Sequence, residues 1–212
     1  MPYQDRRDAG RALGASLADL REQPDLIVLG LPRGGVPVAA EVAAALRAPL
    51  DVLLVRKLGV PRHEELAMGA IASGGGMVLN EDIVRELGIP DDAIRAAVER
   101  EGAVLADRER RYRAGRPEPE LRDRTVVIVD DGLATGATMR AAIETTRTHG
   151  PRSIIAAVPV GAAATQRELE RIADRVVCPM TPERFSAVGM HYVDFRPTTD
   201  DEVIAALAGF PG

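Results

Sequence analysis

Apolar residues at Ala9, Leu13, Leu17 and Leu20 recur at helical spacing, which predicts an N-terminal helix over residues 5–21 closing near Gln23 and Pro24. Alternating units follow. LIVLG at 26–30 has the length and apolarity of a buried strand, LPRGG is a loop, and 36–47 is a helix whose alanines suit close packing on a sheet. DVLLV at 51–55 is a second strand, so strand, helix and strand imply a parallel pair joined by a right-handed crossover. Residues 56–66 are polar, contain Gly59 and Pro61, and read as a long mobile loop. A further strand is expected at 67–72, a turn at 73–76, a hairpin strand at 77–80 and a short helix at 81–87 ended by Gly88. One long helix should run from Pro90 to Arg113, with Ile94, Ala97, Val98 and Leu105 inward and Glu109 paired with Arg113 at i, i+4. The Pro-rich 114–121 is a linker. The alternation resumes with a strand at 125–130, a helix at 137–149, a strand at 153–160, a helix at 165–172 and a last strand at 175–178.

This succession predicts an α/β fold: an open, mainly parallel sheet with helices on both faces, plus a small helical excursion or hood. The boundaries it implies are a core of residues 1–72 and 122–178, an excursion at 73–121, and a C-terminal hood or tail at 179–212. Such sheets bind ligands beyond the carboxyl ends of their strands at the switch point, where loops 31–35, 56–66 and 130–138 should meet.

Composition narrows the function classes. With 212 residues and 46% apolar content the chain can bury one core of ordinary size. No apolar run approaches the roughly 20 residues that a bilayer crossing needs. MPYQDRRDAG lacks the apolar segment of a secretory signal, and Cys178 is the single cysteine, so a reducing cytoplasm is expected, with no membrane, disulfide framework or cysteine zinc site. A net charge of −5 disfavours an extended nucleic-acid surface, whose affinity comes from neutralising many phosphates. Of 27 basic residues, Lys57 is the only lysine. GC-rich coding would explain the arginine bias; against it, a surviving lysine marks a place where a compact, movable ammonium is wanted.

The richest stretch is VVIVDDGLATGATM, in which two carboxylates end a buried strand and a loop of small residues opens a helix. Backbone NH groups at a helix N-terminus favour a phosphate, and small residues let it approach. Ala134, Thr135, Gly136, Ala137 and Thr138 form this cradle, the threonines adding hydroxyl donors. Asp130 and Asp131 are suited to accept hydrogen bonds from vicinal ribose hydroxyls or to hold water on a magnesium ion. Helix capping alone accounts for one aspartate and a threonine but not for the whole set. No GxxxxGK[ST] or GxGxxG occurs, which leaves nucleotide triphosphatase and dinucleotide readings without support.

DDGLATGATM resembles the hallmark motif of the type I phosphoribosyltransferases, in the form found in adenine phosphoribosyltransferases. Gly132 departs from the apolar residue usual there, and Ala134 stands where enzymes for hypoxanthine and guanine generally carry an aspartate. LPRGGVPVA at 31–39 resembles the family's pyrophosphate loop, and RKLGVP at 56–61 the Arg-Lys pair that helps to bind pyrophosphate. The chain also has the look of a little-characterised bacterial subgroup of predicted phosphoribosyltransferases sharing RKLG, EELAMGA and DDGLATGAT.

The resemblance implies an enzyme that displaces pyrophosphate from phosphoribosyl pyrophosphate by a nitrogen nucleophile such as a nucleobase, with Mg2+ carried on the substrate and no direct protein metal site. It implies catalytic roles for Asp130, Asp131 and Lys57, pyrophosphate contacts from Arg33, Gly34, Arg56 and Lys57, closure of the 56–66 loop, and a homodimer. His63, Glu64 and Glu65 in that loop are candidates for a general base. His149 and His191 are expected to be structural. Half of the aromatics, Phe185, Tyr192 and Phe195, lie within 11 residues, and Phe185 is the candidate to stack on a base, against the alternative of a small hydrophobic cluster. A different class, a sensor that binds a phosphoribosyl compound without turnover, stays open because fold does not fix chemistry. A receiver-like signalling domain is disfavoured by the Thr/Gly cradle.

Overall fold

The computed structural model describes residues 2–21, 23–61 and 63–210, without the side chains of Glu64 and Glu65. In chain order its elements are α1 (Arg6–Ser16), β1 (Leu26–Gly30), α2 (Gly35–Leu46), β2 (Leu50–Val52), β3 (Val55–Val60), β4 (His63–Ala72) and β5 (Met77–Leu79). Then come α3 (Glu81–Glu86), α4 (Asp91–Arg113), β6 (Thr125–Val129), α5 (Ala137–Arg147), β7 (Ser153–Ala157), α6 (Ala163–Leu169), β8 (Arg175–Val177) and α7 (Asp200–Ala208).

Five strands form one parallel sheet in the order β2-β1-β6-β7-β8. Side chains alternate between the faces of a strand, and the alternation assigns the two layers of core. Val28, Val127, Val129 and Ile155 face α1, α2 and α7, whereas Ile27, Val126, Ile128 and Ile154 face α5 and α6. Runs such as VVIV are apolar throughout because both faces are covered. Gly30, Val129 and Ala157 are in register, so the loops that follow these three strands emerge side by side. After β1 the chain moves outward to β2, and after β6 it moves the other way to β7, which places the switch point between β1 and β6.

The expected loop at 56–66 is a β-hairpin. β3, β4 and β5 form a separate antiparallel sheet, with Pro61 in the connection between the first two and Arg62 outside the described residues. Gly59 does not end the strand, because register shifts on either side of it absorb the irregularity as a bulge. Leu58, Val60 and Met68 are buried beneath the hairpin. The strand expected at 51–55 is divided: Leu50–Val52 joins the parallel sheet and Val55 already belongs to the antiparallel one. The strand expected at 153–160 ends at Ala157, beyond which Val158 donates to the carbonyl of Val177 in β8 and Val160 bridges to Met180.

α4 packs across the hairpin, and its Arg113 is almost wholly buried. That guanidinium meets Asp51 of β2 at 3.3 Å, Glu109 at 3.0 Å and Glu118 at 3.4 Å, so the expected i, i+4 pair is one limb of a buried cluster. Among the described residues no helix is long and apolar enough to cross a membrane.

Candidate functional site

The loop after β6 is braced by its neighbours in the fold. Leu133 is buried, donates from its backbone N to the carbonyl of Val160 at 2.9 Å, and accepts from the backbone N of Ala162 at 2.9 Å. Thr165 Oγ1 donates to the carbonyl of Ala134 at 2.7 Å. Gly136 then takes φ +73°, a left-handed conformation that only glycine adopts freely, and turns the chain into α5. The first amides of that helix have no partners within it. Ala134, Thr135 and Thr138 are exposed beside them. The result is a pocket of about 160 Å³ whose walls include Asp130, Thr135, Gly136, Thr138 and Val188.

Asp130 and Asp131 are held differently. Asp130 lines the pocket, and its Oδ1 accepts from the backbone N of Asp131 at 2.9 Å. Burial, followed by the neighbouring charge of Asp131, pushes its carboxyl well above the ordinary carboxylate range. Asp131 is raised by burial too, with the guanidinium of Arg6 acting against that rise. Arg6 Nε donates to Asp131 Oδ2 at 2.8 Å. Tyr192 OH donates to the backbone carbonyl of Asp131 at 2.6 Å. Asp131 Oδ2 lies so close to Gly34 that a Cβ there would collide with it, and Arg6 Nε is close by. Loops 31–35 and 130–136 therefore touch through Gly34 and Asp131.

The residues expected to hold pyrophosphate are dispersed. Arg33 is half exposed and extends toward Asp200 at the start of α7, 3.9 Å away. Asp200 also accepts from Tyr112 OH at 2.6 Å and meets Arg111 at 2.7 Å. Arg56 and Lys57 are adjacent in β3 and so point to opposite faces. Arg56 is paired with Glu101 of α4 at 2.6 Å, whereas Lys57 is exposed and borders a larger cavity of about 640 Å³ between the hairpin and α5. Thr135 and Ala137 line that cavity as well, so Lys57 is on the side of the phosphate cradle. His63 is exposed near the hairpin tip, while the side chains of Glu64 and Glu65 lie outside the described residues.

Phe185 stacks on His191, with centroids 5.5 Å apart and planes 13° from parallel. With Tyr3, Tyr192 and Phe195 it belongs to a hydrophobic cluster that joins the C-terminal segment to α1. Val188 covers Gly132 so closely that a Cβ on the glycine would collide with it. The departure at Gly132 thus has a physical cause: the space of the usual apolar side chain is filled by Val188. His149 packs against the turn at 74–76.

Among the described residues no group of three or more His, Cys, Asp or Glu side chains is placed to hold a metal ion. Asp130 and Asp131 are the carboxylates of the site whose chemistry would suit a magnesium ion carried on a polyphosphate substrate.

Comparison with known proteins decides the family. A model described as the phosphoribosyl transferase domain matches residues 62–194, which include the loop after β6, Phe185 and Tyr192. The chain belongs to the phosphoribosyltransferase domain family. A Mycobacterium tuberculosis protein bearing the name "Putative phosphoribosyl transferase Rv0571c" is 52% identical over 206 residues, covering 97% of this chain and 46% of that protein. The chain thus spans about half the length of the curated relatives it matches. The crystal structure of TT1426 from Thermus thermophilus shares 43% identity, covers 100% of both chains and superposes with a TM-score of 0.90. AQ2163 from Aquifex aeolicus, at 11% identity, 95% and 86% coverage and a TM-score of 0.50, shares the fold alone.

Arg6 and Val188 border the candidate site and were missed by sequence reasoning. Both act across more than fifty residues of chain, and neither lies in a motif.

Proposed function

We propose that the protein binds magnesium phosphoribosyl pyrophosphate and transfers its phosphoribosyl group to a nitrogen nucleophile, releasing pyrophosphate. One observation carries the reading: a braced loop of small residues at the N-terminus of α5, walled by the half-buried Asp130, lies beside the switch point of the sheet. The 5′-phosphate would occupy the cradle on the amides of residues 136–138 and the hydroxyls of Thr135 and Thr138. Asp130, with the remaining oxygen of Asp131, would accept from the ribose hydroxyls. Lys57 and Arg33 would neutralise the departing pyrophosphate, Arg33 by exchanging Asp200 for the ligand. The C1–O bond breaks as the N–C1 bond forms, and the protein contributes positioning and electrostatics in place of covalent chemistry.

A second reading, binding without turnover, draws support from Arg56 and Phe185, each already occupied by Glu101 or His191. Pyrophosphate release, assayed with phosphoribosyl pyrophosphate, magnesium and a panel of purine and pyrimidine bases, separates the two. Transfer to one base supports the enzyme. Tight binding of the sugar phosphate with no release for any base supports the sensor. In the enzyme, Lys57→Ala should lower kcat by about tenfold to a hundredfold while changing the affinity for the sugar phosphate far less. An unchanged kcat would remove Lys57 from the chemistry.

A further inference from the structure

We propose that Arg6, on the N-terminal helix, is a positioning residue for this site, acting through Asp131 and the loop that carries Gly34. The inference rests on the phosphoribosyl-binding reading above. Arg6 is a nearly buried arginine with two hydrogen bonds: its side chain is 12% exposed, Nε donates to Asp131 Oδ2 at 2.8 Å, and Nη1 donates to the carbonyl of Arg196 at 2.7 Å. Its guanidinium lies over the ring of Phe195 with 4.0 Å between them, where a planar cation is held by the ring face as well as by its hydrogen bonds. Around Asp131 the charged or titratable neighbours are Arg6 of α1, Asp130 of its own loop and Tyr192 of the C-terminal segment. Arg6 is the cation that meets the carboxylate.

Geometry makes this more than a surface ion pair. Among the described residues the side-chain hydrogen bond to Asp131 is made at Oδ2, which leaves Oδ1 without a side-chain partner. The same carboxylate lies against Gly34, so whatever fixes Asp131 also fixes the loop expected to face pyrophosphate. Arg6 is in turn fixed from behind by Phe195 and Arg196, which explains the role of the aromatic C-terminal segment without any stacked base. α1 and the C-terminal segment are tied to each other by Tyr3, whose backbone N donates to the carbonyl of His191 at 2.9 Å and whose carbonyl accepts from Val193 at 2.8 Å. Two segments from opposite ends of the described chain thereby converge on one carboxylate.

The test compares Arg6→Met, Arg6→Lys and Phe195→Leu in the full chain by calorimetric titration with magnesium phosphoribosyl pyrophosphate. Backbone amide spectra of the ligand-free proteins are recorded alongside. Arg6→Met should weaken binding on the order of tenfold, the scale of one charge-assisted hydrogen bond, and Arg6→Lys should recover most of it. Phe195→Leu, which leaves the ion pair intact, should give a smaller loss. Amides of Gly34 and of residues 131–136 should shift in Arg6→Met and return toward wild type in Arg6→Lys, while those of β7 and β8 stay put. Equal losses of affinity in the lysine and methionine variants, or amide shifts spread evenly over the molecule, would overturn the assignment in favour of a merely structural arginine. Failure of the wild type to bind would count against the phosphoribosyl reading, and the amide pattern would still decide whether Arg6 governs the two loops.

Discussion

Asp130 concentrates the conflict between stability and binding in one side chain. A carboxyl raised by burial keeps its proton in the native state at pH values where the unfolded chain has lost it. Its stabilising contribution is therefore complete below the ordinary carboxylate range and is lost as pH rises through the raised native value. Asp130→Asn should accordingly stabilise the ligand-free protein at pH 8 by about 1–3 kcal/mol, measured by thermal or denaturant unfolding, while weakening sugar-phosphate binding. The ligand would favour the ionised form, so wild-type affinity should increase from pH 6 to pH 8. The heat of binding should also vary with the ionisation enthalpy of the buffer, because a proton is released on binding. Affinity that falls over this range would reverse the sign and refute the role. Gly132 and Val188 allow a second test. Gly132→Val should overpack against Val188 at a cost of about 1–3 kcal/mol, and Val188→Ala added to it should restore most of the loss. Additive effects in this double-mutant cycle would show that the two positions do not meet.

At the scale of elements, the strands flanking the site were legible because burial on both faces leaves an unmistakable apolar run, as in VVIV and LIVLG. The turn into α5 was legible because a glycine stands where the backbone takes a left-handed conformation at Gly136. The β3–β4 hairpin was not. Gly59 and Pro61 carry loop signals, and nothing local reveals that a bulge accommodates the first while the turn takes the second. Adjacent Arg56 and Lys57 looked like one binding pair, but strand alternation parts them, and the partner that claims Arg56 is 45 residues away on α4. α4 itself was predictable in length. Its function as a brace was not, since the buried contacts of Arg113 come from β2 and the 114–121 segment as well as from its own helix. Arg113→Met should destabilise the fold by about 3–5 kcal/mol in denaturant unfolding, because it leaves Asp51 uncompensated beneath the helix. A cost below 1 kcal/mol would mean that the cluster is solvated in practice.

For the molecule as a whole, the alternation of strands and helices foretold the parallel sheet. Register then places the loops after β1, β6 and β7 together. What the sequence could not disclose is convergence from the termini: Arg6 and Phe195 are separated by nearly the entire chain, yet they close over the same aspartate. The candidate site is thus a junction of the switch-point loops with segments near both ends of the described chain, and the proposal made for it is that the braced loop after β6 takes the sugar phosphate. Isothermal titration of the wild type and of Asp130→Asn/Asp131→Asn with phosphoribosyl pyrophosphate and magnesium tests that claim most directly. Saturable one-to-one binding by the wild type, weakened at least tenfold in a double variant of wild-type fold, is the predicted result. Equal affinity of the two proteins, or no binding by a folded wild type, would contradict it.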